Sequence, residues 1–336
     1  MAVMPRESAK LIARLSKNVF IEEEGVKNLA CVILEGLKDR TISVNNFSQL
    51  QLHPSPDDPR AVDWIFVLDT LNYSFWSRKD SPKWTVDGQT GYFALCAAVK
   101  RAVDEGKPIV DPKYYAHITR CDAEQIFRGD NHTSIPLLDE RVKSLREAGK
   151  ILLEKYQGTF TECIKSCSCS AEKLLKLIVN EFESYQDEAE YDGHRVSFYK
   201  RAQILVGDIW ACFKGEGIGE LRDIDYITMF ADYRIPQVLV HFGAMRYSNP
   251  LLSRLQCDVE LENGSDDEIE IRGCSIEAVE RVKDEVRSLI ERYPNLELNK
   301  ADVNAILIDH FLWDYRREHA AQLEQVPFHK TRCIYY

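Results

Sequence analysis

KADVNAILIDHFLWDYRRE, residues 300–318, is the stretch on which the reading of the fold turns. Asn299 is placed to cap a helix, and Ala301, Asp302 and Ala305 suit a first helical turn. At about 100° per residue, Val303, Ile306, Leu307, His310, Trp313 and Asp314 fall on one side. Ile308, Leu312 and Tyr315 cover much of the rest. A helix that is apolar nearly all round belongs in a core, so the pattern predicts a buried helix. Asp314 then lies in the middle of a core-facing stripe, with His310 one turn before it. A carboxylate there costs several kcal/mol unless it has partners. Either a structural partner or a functional site must justify it.

The 336 residues, 45% of them hydrophobic, suffice for a large core. A formal net charge of −11 argues against a duplex or membrane-surface binder, which carries a basic footprint. A small anionic ligand fits, because a few local cations hold one phosphate. No apolar run approaches the roughly 20 residues that span a bilayer. The N-terminal MAVMPRESAKLIARLSKNVF has no secretory apolar region. Its spaced basic residues weakly resemble a transit peptide, but Glu7, Glu22, Glu23 and Glu24 oppose that reading, and a first amphipathic helix is expected instead. Ten cysteines scattered through such a chain suit reduced thiols. The expected location is the cytoplasm, with the nucleus as the alternative. Only Cys163, Cys167 and Cys169 cluster; without a second pair or a nearby His they read as exposed or half-buried thiols rather than a metal site.

Outward from the opening stretch, helices dominate. Residues 8–40 read as two helices broken near 20–25, with Leu11, Leu15, Val26, Leu29, Val32, Ile33 and Leu37 buried. A Pro-rich loop, 52–59, carries His53. Residues 62–76 are dense enough to be core as helix or strand. KWTVDGQT, 83–90, forms a hairpin about Asp87-Gly88. Helices follow at 91–105, stopped by Gly106, at 137–153 and at 170–182. Residues 185–193 read as an acidic surface loop. Residues 197–213 form a second dense helix. Pro236 opens another, leaving 230–234 as the loop before it. Residues 268–272 alternate like a strand, Ser275 caps a helix running to Tyr293, and the aromatic tail VPFHKTRCIYY is expected to dock. No βαβ rhythm and no internal repeat appears. The expected fold is mainly α, one globular domain over 1–336 with a small β accessory.

No P-loop, GxGxxG, HExxH, GxSxG or EF-hand pattern is present. What remains is polar residues set in apolar helices or aromatic loops. These are Asp314 with His310 and Asp309; the loop Phe230-Ala231-Asp232-Tyr233-Arg234; Lys200-Arg201; Asp69; and His53. Each has a structural reading beside the functional one. Asp314 is as readily a carboxylate bonded to an Arg or a helix N-terminus. Lys200 and Arg201 snorkel from buried helices in the usual case. Asp232 falls where it would cap the Pro236 helix, Asp69 suits a structural acceptor, and His53 an incidental loop residue. Asp309 lies about 140° from Asp314, so the two share a pocket only if the helix bends or each lines a different wall.

Several stretches carry a resemblance: DTLNYSFW (69–76), SFYKRAQILV (197–206), ITMFADYRIPQVL (227–239), EIRGCS (270–275), LWDY (312–315) and the terminal VPFHKTRCIYY. They are similar to the queuosine salvage protein family, the queuosine 5'-phosphate N-glycosylases, over essentially the whole chain, and look like a eukaryotic member. The resemblance implies a mainly α fold whose helical core is like that of helix-hairpin-helix DNA glycosylases. It implies hydrolysis of the N-glycosidic bond of queuosine 5'-monophosphate, with queuine released for salvage into tRNA. It implies no metal and no organic cofactor. Carried over by position, Asp314 of LWDY is the catalytic carboxylate, and Phe230 and Asp232 of MFADYR contact the base. His53 and Asp309 belong to the ligand site, and His310 stands where the family has an aromatic residue.

Breaking a ribosyl C–N bond builds positive charge on the sugar, which a fixed carboxylate stabilises. Queuine is a 7-deazaguanine with no N7 to protonate, so its departure is helped elsewhere. Asp232 would accept from its N1–H and 2-amino group, and Phe230 would stack on the ring. Lys200, Arg201 and Arg234 are the candidates for the 5'-phosphate by charge and position. The expected partners are the mononucleotide and queuine, with no direct nucleic acid or membrane contact, on a monomer. The rival readings are a catalytically silent queuine or queuosine-nucleotide binding protein and, by fold analogy, a nucleic-acid glycosylase, which the charge disfavours.

Overall fold

A computed structural model describes residues 2–49 and 52–336, with the side chains of 47–49 left aside. Its secondary structure is mainly helical, with three two-stranded antiparallel sheets among the described residues. The chain clusters into two compact units. The first comprises the residues to Asn46, Asp187–Gln203 and Asp225–Arg332; the second comprises Phe47–Gln186, Ile204–Ile224 and Cys333–Tyr336. Among the described residues no helix is long and apolar enough to cross a membrane.

The spine of the first unit is the 27-residue helix Asp266–Arg292. Helices Pro5–Leu15, Glu23–Lys38, Ile235–His241 and Ala305–Glu318 all pack on it. Gly273 sets one crossing: a Cβ there would stand 2.6–2.8 Å from the Ile12 side chain. Gly25 lies closer still, its missing Cβ falling about 2 Å from the Gly243 carbonyl, so backbone meets backbone. Strands Val19–Ile21 and Met245–Tyr247 pair beside the spine.

This spine contradicts the expected strand at 268–272. Glu268, Ile269, Glu270, Ile271 and Arg272 are all buried, so the alternation separates two kinds of buried residue rather than an inside from an outside. The polar set is held by specific partners. Arg272 donates to both Asp187 oxygens at 2.8 and 2.5 Å, to Glu268 at 3.3 Å and to the Ala231 carbonyl at 3.0 Å. Glu270 accepts from Ser16, the Asn18 amide and the Tyr191 hydroxyl at 2.7–2.8 Å. Ser275 sits inside the helix, donating back to the Ile271 carbonyl, and caps nothing. The expected acidic loop at 185–193 is likewise corrected. It contains strand Glu188–Tyr191, paired with His194–Ser197 across an Asp192-Gly193 turn with both φ positive, and its Asp187 is buried.

In the second unit, helix Ala61–Thr70 is buried along nearly its whole length, flanked by Gly91–Asp104, Leu138–Lys155 and Phe160–Ser166. Arg141, fully buried, donates to the Leu71 and Tyr73 carbonyls and lies over the Tyr73 ring at 4.4 Å. The hairpin forms as expected, with Asp87 at φ 50° and Gly88 at φ 73°. The tail docks: the Ser74 amide donates to the Tyr336 carbonyl at 2.9 Å, and Tyr336 is buried. Cys163 and Cys167 are buried, against the expectation of exposed or half-buried thiols, and burial pushes both thiols up, whereas Cys169 is half-buried as expected. Val32, placed in the core by periodicity, is exposed, and Leu11 and Leu15 are half-buried.

Candidate active site

The opening stretch is not one helix. Asn299 caps a short 3-10 turn, Lys300–Asp302, through a capping box with Asp302. The chain then extends through Val303, and Asn304 caps the helix Ala305–Glu318 by accepting from the Leu307 amide at 3.0 Å. This five-residue shift of the start does not alter the azimuths, but it bears on which side is inside. Ala305, Ile306, Leu307, Ile308, Asp309, Leu312 and Arg316 are buried: the first turn is enclosed all round, and beyond Leu307 the buried positions fall on an arc centred near the azimuth of Ala305. At about 100° per residue, Asp309 lies some 40° from that centre and Asp314 some 180° from it.

Asp314 is therefore not buried in a core stripe. Its side chain is 55% exposed, and its nearest ion partner, the Arg317 guanidinium, stands 4.0 Å away. Arg317 in turn lies over the Trp313 ring at 4.9 Å. Crowding of its flanks still pushes the Asp314 carboxyl upward, with Arg317 opposing and Glu318 reinforcing. The wheel grouped His310, Trp313 and Asp314 on one side, and that side is half-buried at His310 and Trp313 and open at Asp314.

The buried acid on this helix is Asp309, 5% exposed. The Phe230 amide donates to its Oδ2 at 2.9 Å. Burial holds its carboxyl well above the usual range, and the Asp232 charge adds to this; the Phe230 N–H and the Lys200 charge oppose. Asp232, half-buried, accepts from the Arg234 and Ile235 amides through Oδ1 at 2.8 and 2.9 Å. That is the helix-capping role weighed from the sequence, at the start of Ile235–His241 with Pro236 in its first turn. Asp232 thus accepts two backbone N–H groups and Asp309 one, and the Asp232 charge acts on Asp309.

Phe230 is 3% exposed, with its ring centroid 6.3 Å from that of His310 and tilted by 54°. Burial lowers the His310 pKa to about 4, so the imidazole is neutral at neutral pH and behaves as an aromatic. Lys200 and Arg201 open the helix Lys200–Cys212, and both are buried rather than snorkelling. The Lys200 amide donates to Asp187 at 3.0 Å. Arg234 is half-buried, lies over Phe328 at 4.3 Å and donates to Gln237 Oε1 at 3.1 Å. His53 belongs to the second unit, half-buried, with its ring edge-on to Tyr92 at 5.6 Å. Asp69, also there, is fully buried, as expected of a structural acceptor.

The structure thus brings Phe230, Asp232, Asp309 and His310 together and places the Lys200 charge on Asp309; on the same helix Asp314 lies about 140° around from Asp309 but only about 40° from His310, one turn earlier. Gln237 escaped the sequence reading. Its Oε1 accepts from both Arg234 and Arg316, and its Nε2 donates to the Leu323 and Val326 carbonyls. A glutamine after a proline gives no signal of this; only its burial does. Among the described residues no group of three or more His, Cys, Asp or Glu side chains converges as a metal-ligand set.

Comparison with known protein families matches residues 52–336 to the one described as "Queuosine salvage protein". A Bos taurus protein named queuosine 5'-phosphate N-glycosylase/hydrolase is 48% identical, over 99% of this chain and 98% of its own. A Mus musculus protein of the same name is 46% identical over the same shares. A Schizosaccharomyces pombe protein of that name is 36% identical over 98% of this chain and 99% of its own.

Proposed function

The chain belongs to the queuosine salvage protein family, and we propose that it hydrolyses the N-glycosidic bond of queuosine 5'-phosphate with a carboxylate on the Ala305–Glu318 helix. It is an N-glycosyl hydrolase, as the names of relatives spanning nearly the full chain indicate. The products are the free base queuine and ribose 5-phosphate.

The observation that carries the residue assignment is the open Asp314, one helical turn after the His310 of the aromatic and acidic cluster. An accessible carboxylate whose nearest ion partner is 4 Å away has room to meet a sugar C1' and to orient a water. Phe230 and His310 offer aromatic faces for the base. Asp232 keeps acceptor capacity beyond the two amides on its Oδ1, enough for the N1–H and 2-amino group. Lys200 and Arg201 are enclosed, so Arg234, half-open on Phe328, is the best placed of the three candidates for the 5'-phosphate. His53 is assigned to ligand contact on the family resemblance, and its replacement by Ala is read in KM.

The test is chromatography of queuosine 5'-phosphate incubated with the purified protein without added metal. Appearance of queuine and ribose 5-phosphate supports the hydrolase. A protein that binds the nucleotide and never cleaves it leaves the silent-carrier reading standing. Running the unphosphorylated nucleoside in parallel, with wild type and Arg234→Ala, reads the phosphate contact: the substitution is expected to raise KM for the nucleotide alone.

A further inference from the structure

The carboxylate assigned to the reacting carbon carries a cation of its own. Arg317, three residues on, stands 4.0 Å from Asp314, and its guanidinium lies over Trp313, 4.9 Å from the ring centroid. Both Asp314 and Arg317 are open to solvent, so the pair can part without leaving a buried charge behind. Such a cation opposes the proposed chemistry. Positive charge developing on the sugar is stabilised by Asp314 and repelled by the guanidinium that shares its carboxylate. We propose that Arg317 is a specificity-determining residue: the 5'-phosphate of the substrate draws its guanidinium off Asp314 and so frees the carboxylate for the sugar. This deepens the proposed function and rests on it, through the placement of Asp314 at C1'.

Covalent geometry sets the reach. Through the ring oxygen the phosphorus is five bonds from C1', which at about 1.5 Å per bond keeps the two within roughly 6 Å. A carboxylate at C1' therefore has the phosphate in its own neighbourhood, and its ion partner there is Arg317. At about 100° per residue, Arg317 falls between Trp313 and Asp314, and only about 20° from His310 two turns earlier. It thus shares the side of the helix on which the base cluster is reached. The other cations are differently engaged. Arg316, next in the chain, is buried and donates to Gln237 at 3.2 Å and to Glu324 at 3.0 Å. Lys200 is buried, and its charge acts on Asp309. Arg234, donating to Gln237 and lying over Phe328, can share the phosphate, which presents three acceptor oxygens. Glu318 is the second acid whose charge acts on Arg317, so only a strong anion will draw the guanidinium away. A phosphate dianion is one.

The event is an exchange of ion pairs, with no bond made and no proton moved. In the resting protein the Asp314 carboxylate has Arg317 beside it. With the nucleotide bound, Arg317 pairs with the phosphate and Asp314 faces C1' with its charge uncompensated. Binding energy from the phosphate is thereby realised at the reacting carbon, so its loss should appear in kcat and not only in KM. An unphosphorylated nucleoside offers a neutral 5'-hydroxyl, which cannot compete with a carboxylate for a guanidinium. It would bind, leave Arg317 on Asp314 and turn over slowly.

The experiment compares kcat for queuosine 5'-phosphate and for the unphosphorylated nucleoside in wild type, Arg317→Gln and Arg317→Lys, with and without inorganic phosphite. Wild type should turn over the nucleoside about 100-fold more slowly than the nucleotide, and phosphite, a dianion supplied as a separate piece, should raise that rate about tenfold or more. Arg317→Gln should raise KM for the nucleotide, raise kcat for the nucleoside about tenfold or more, and lose the response to phosphite. Arg317→Lys, which keeps the cation, should keep part of that response. A gain in nucleoside turnover is not what loss of a structural contact produces. If Arg317→Gln slows both substrates alike, or wild-type turnover of the nucleoside equals that of the nucleotide or ignores phosphite, the proposal is overturned. Failure of the hydrolase reading looks different, since wild type would then release no queuine from the nucleotide itself.

Discussion

Asp309 and Asp314 stand five residues apart on one helix in opposite surroundings, and most of the chemistry follows from that difference. Asp309 is enclosed and carries the electrostatic cost of its neighbour Asp232; Asp314 is open. The cost has a measurable sign. Asp309 in the fold titrates well above its ordinary value of 3.8, so between the two values the native state holds a proton that the unfolded chain has released. Stability contributed by this residue is therefore lost as pH rises through that window. Asp309→Asn removes the penalty, and its melting temperature should gain on wild type progressively toward alkaline pH; equal shifts at every pH would refute this. The sequence made an acid on this helix conspicuous but named the wrong one as buried. Azimuths alone group residues without saying which group faces in. Here Ala305, Leu312 and Arg316 decide it, and an arginine on the inner arc is something no hydropathy pattern marks.

At the scale of elements, long periodic helices and Asp-Gly turns were legible, because local physics suffices for them. The 83–90 hairpin and the helix Gly91–Asp104 fell where expected. The same Asp-Gly signal stands at 192–193, inside acidic neighbours whose composition reads as a loop. The spine was misread at 268–272 because its polar residues are satisfied by partners distant in the chain, which no window along the sequence contains. Those partners carry a prediction. Arg272→Ala would leave Asp187 and Glu268 buried without their cation, and should destabilise the protein by about 3–5 kcal/mol in urea unfolding. A loss below about 1 kcal/mol would show that the network is not what holds the spine. The cap is a milder case: Asn304→Ala removes the acceptor for the Leu307 amide and should cost about 1 kcal/mol.

Across the whole molecule, composition constrained function by exclusion. A net charge of −11 disfavours a polyanionic duplex while leaving room for a single phosphate beside local cations such as Arg234. The resemblance then supplied what physics alone did not, a substrate with a defined pairing edge. Buried histidines add a second pH dependence, opposite in sign to that of Asp309. His310 and His329 are lowered by burial to about 4 and about 3, from an ordinary 6.5. Their stability is complete above 6.5 and is lost as pH falls through that window, because the unfolded chain takes up protons the native state refuses. Thermal stability should therefore drop as pH falls from 6.5 toward 4, and His329→Phe should flatten the drop if the larger ring is accommodated; an unchanged slope would assign the acid lability elsewhere.

The central claim is that an open carboxylate on the Ala305–Glu318 helix drives hydrolysis while the cluster that includes His310, one turn before it, holds the base. Its most direct test is a single-turnover chromatographic assay of queuosine 5'-phosphate with wild type and Asp314→Asn, alongside a binding measurement. The account predicts queuine and ribose 5-phosphate from wild type, and from Asp314→Asn retained binding with turnover reduced by at least about 100-fold. Asp314→Asn releasing queuine at the wild-type rate would contradict it.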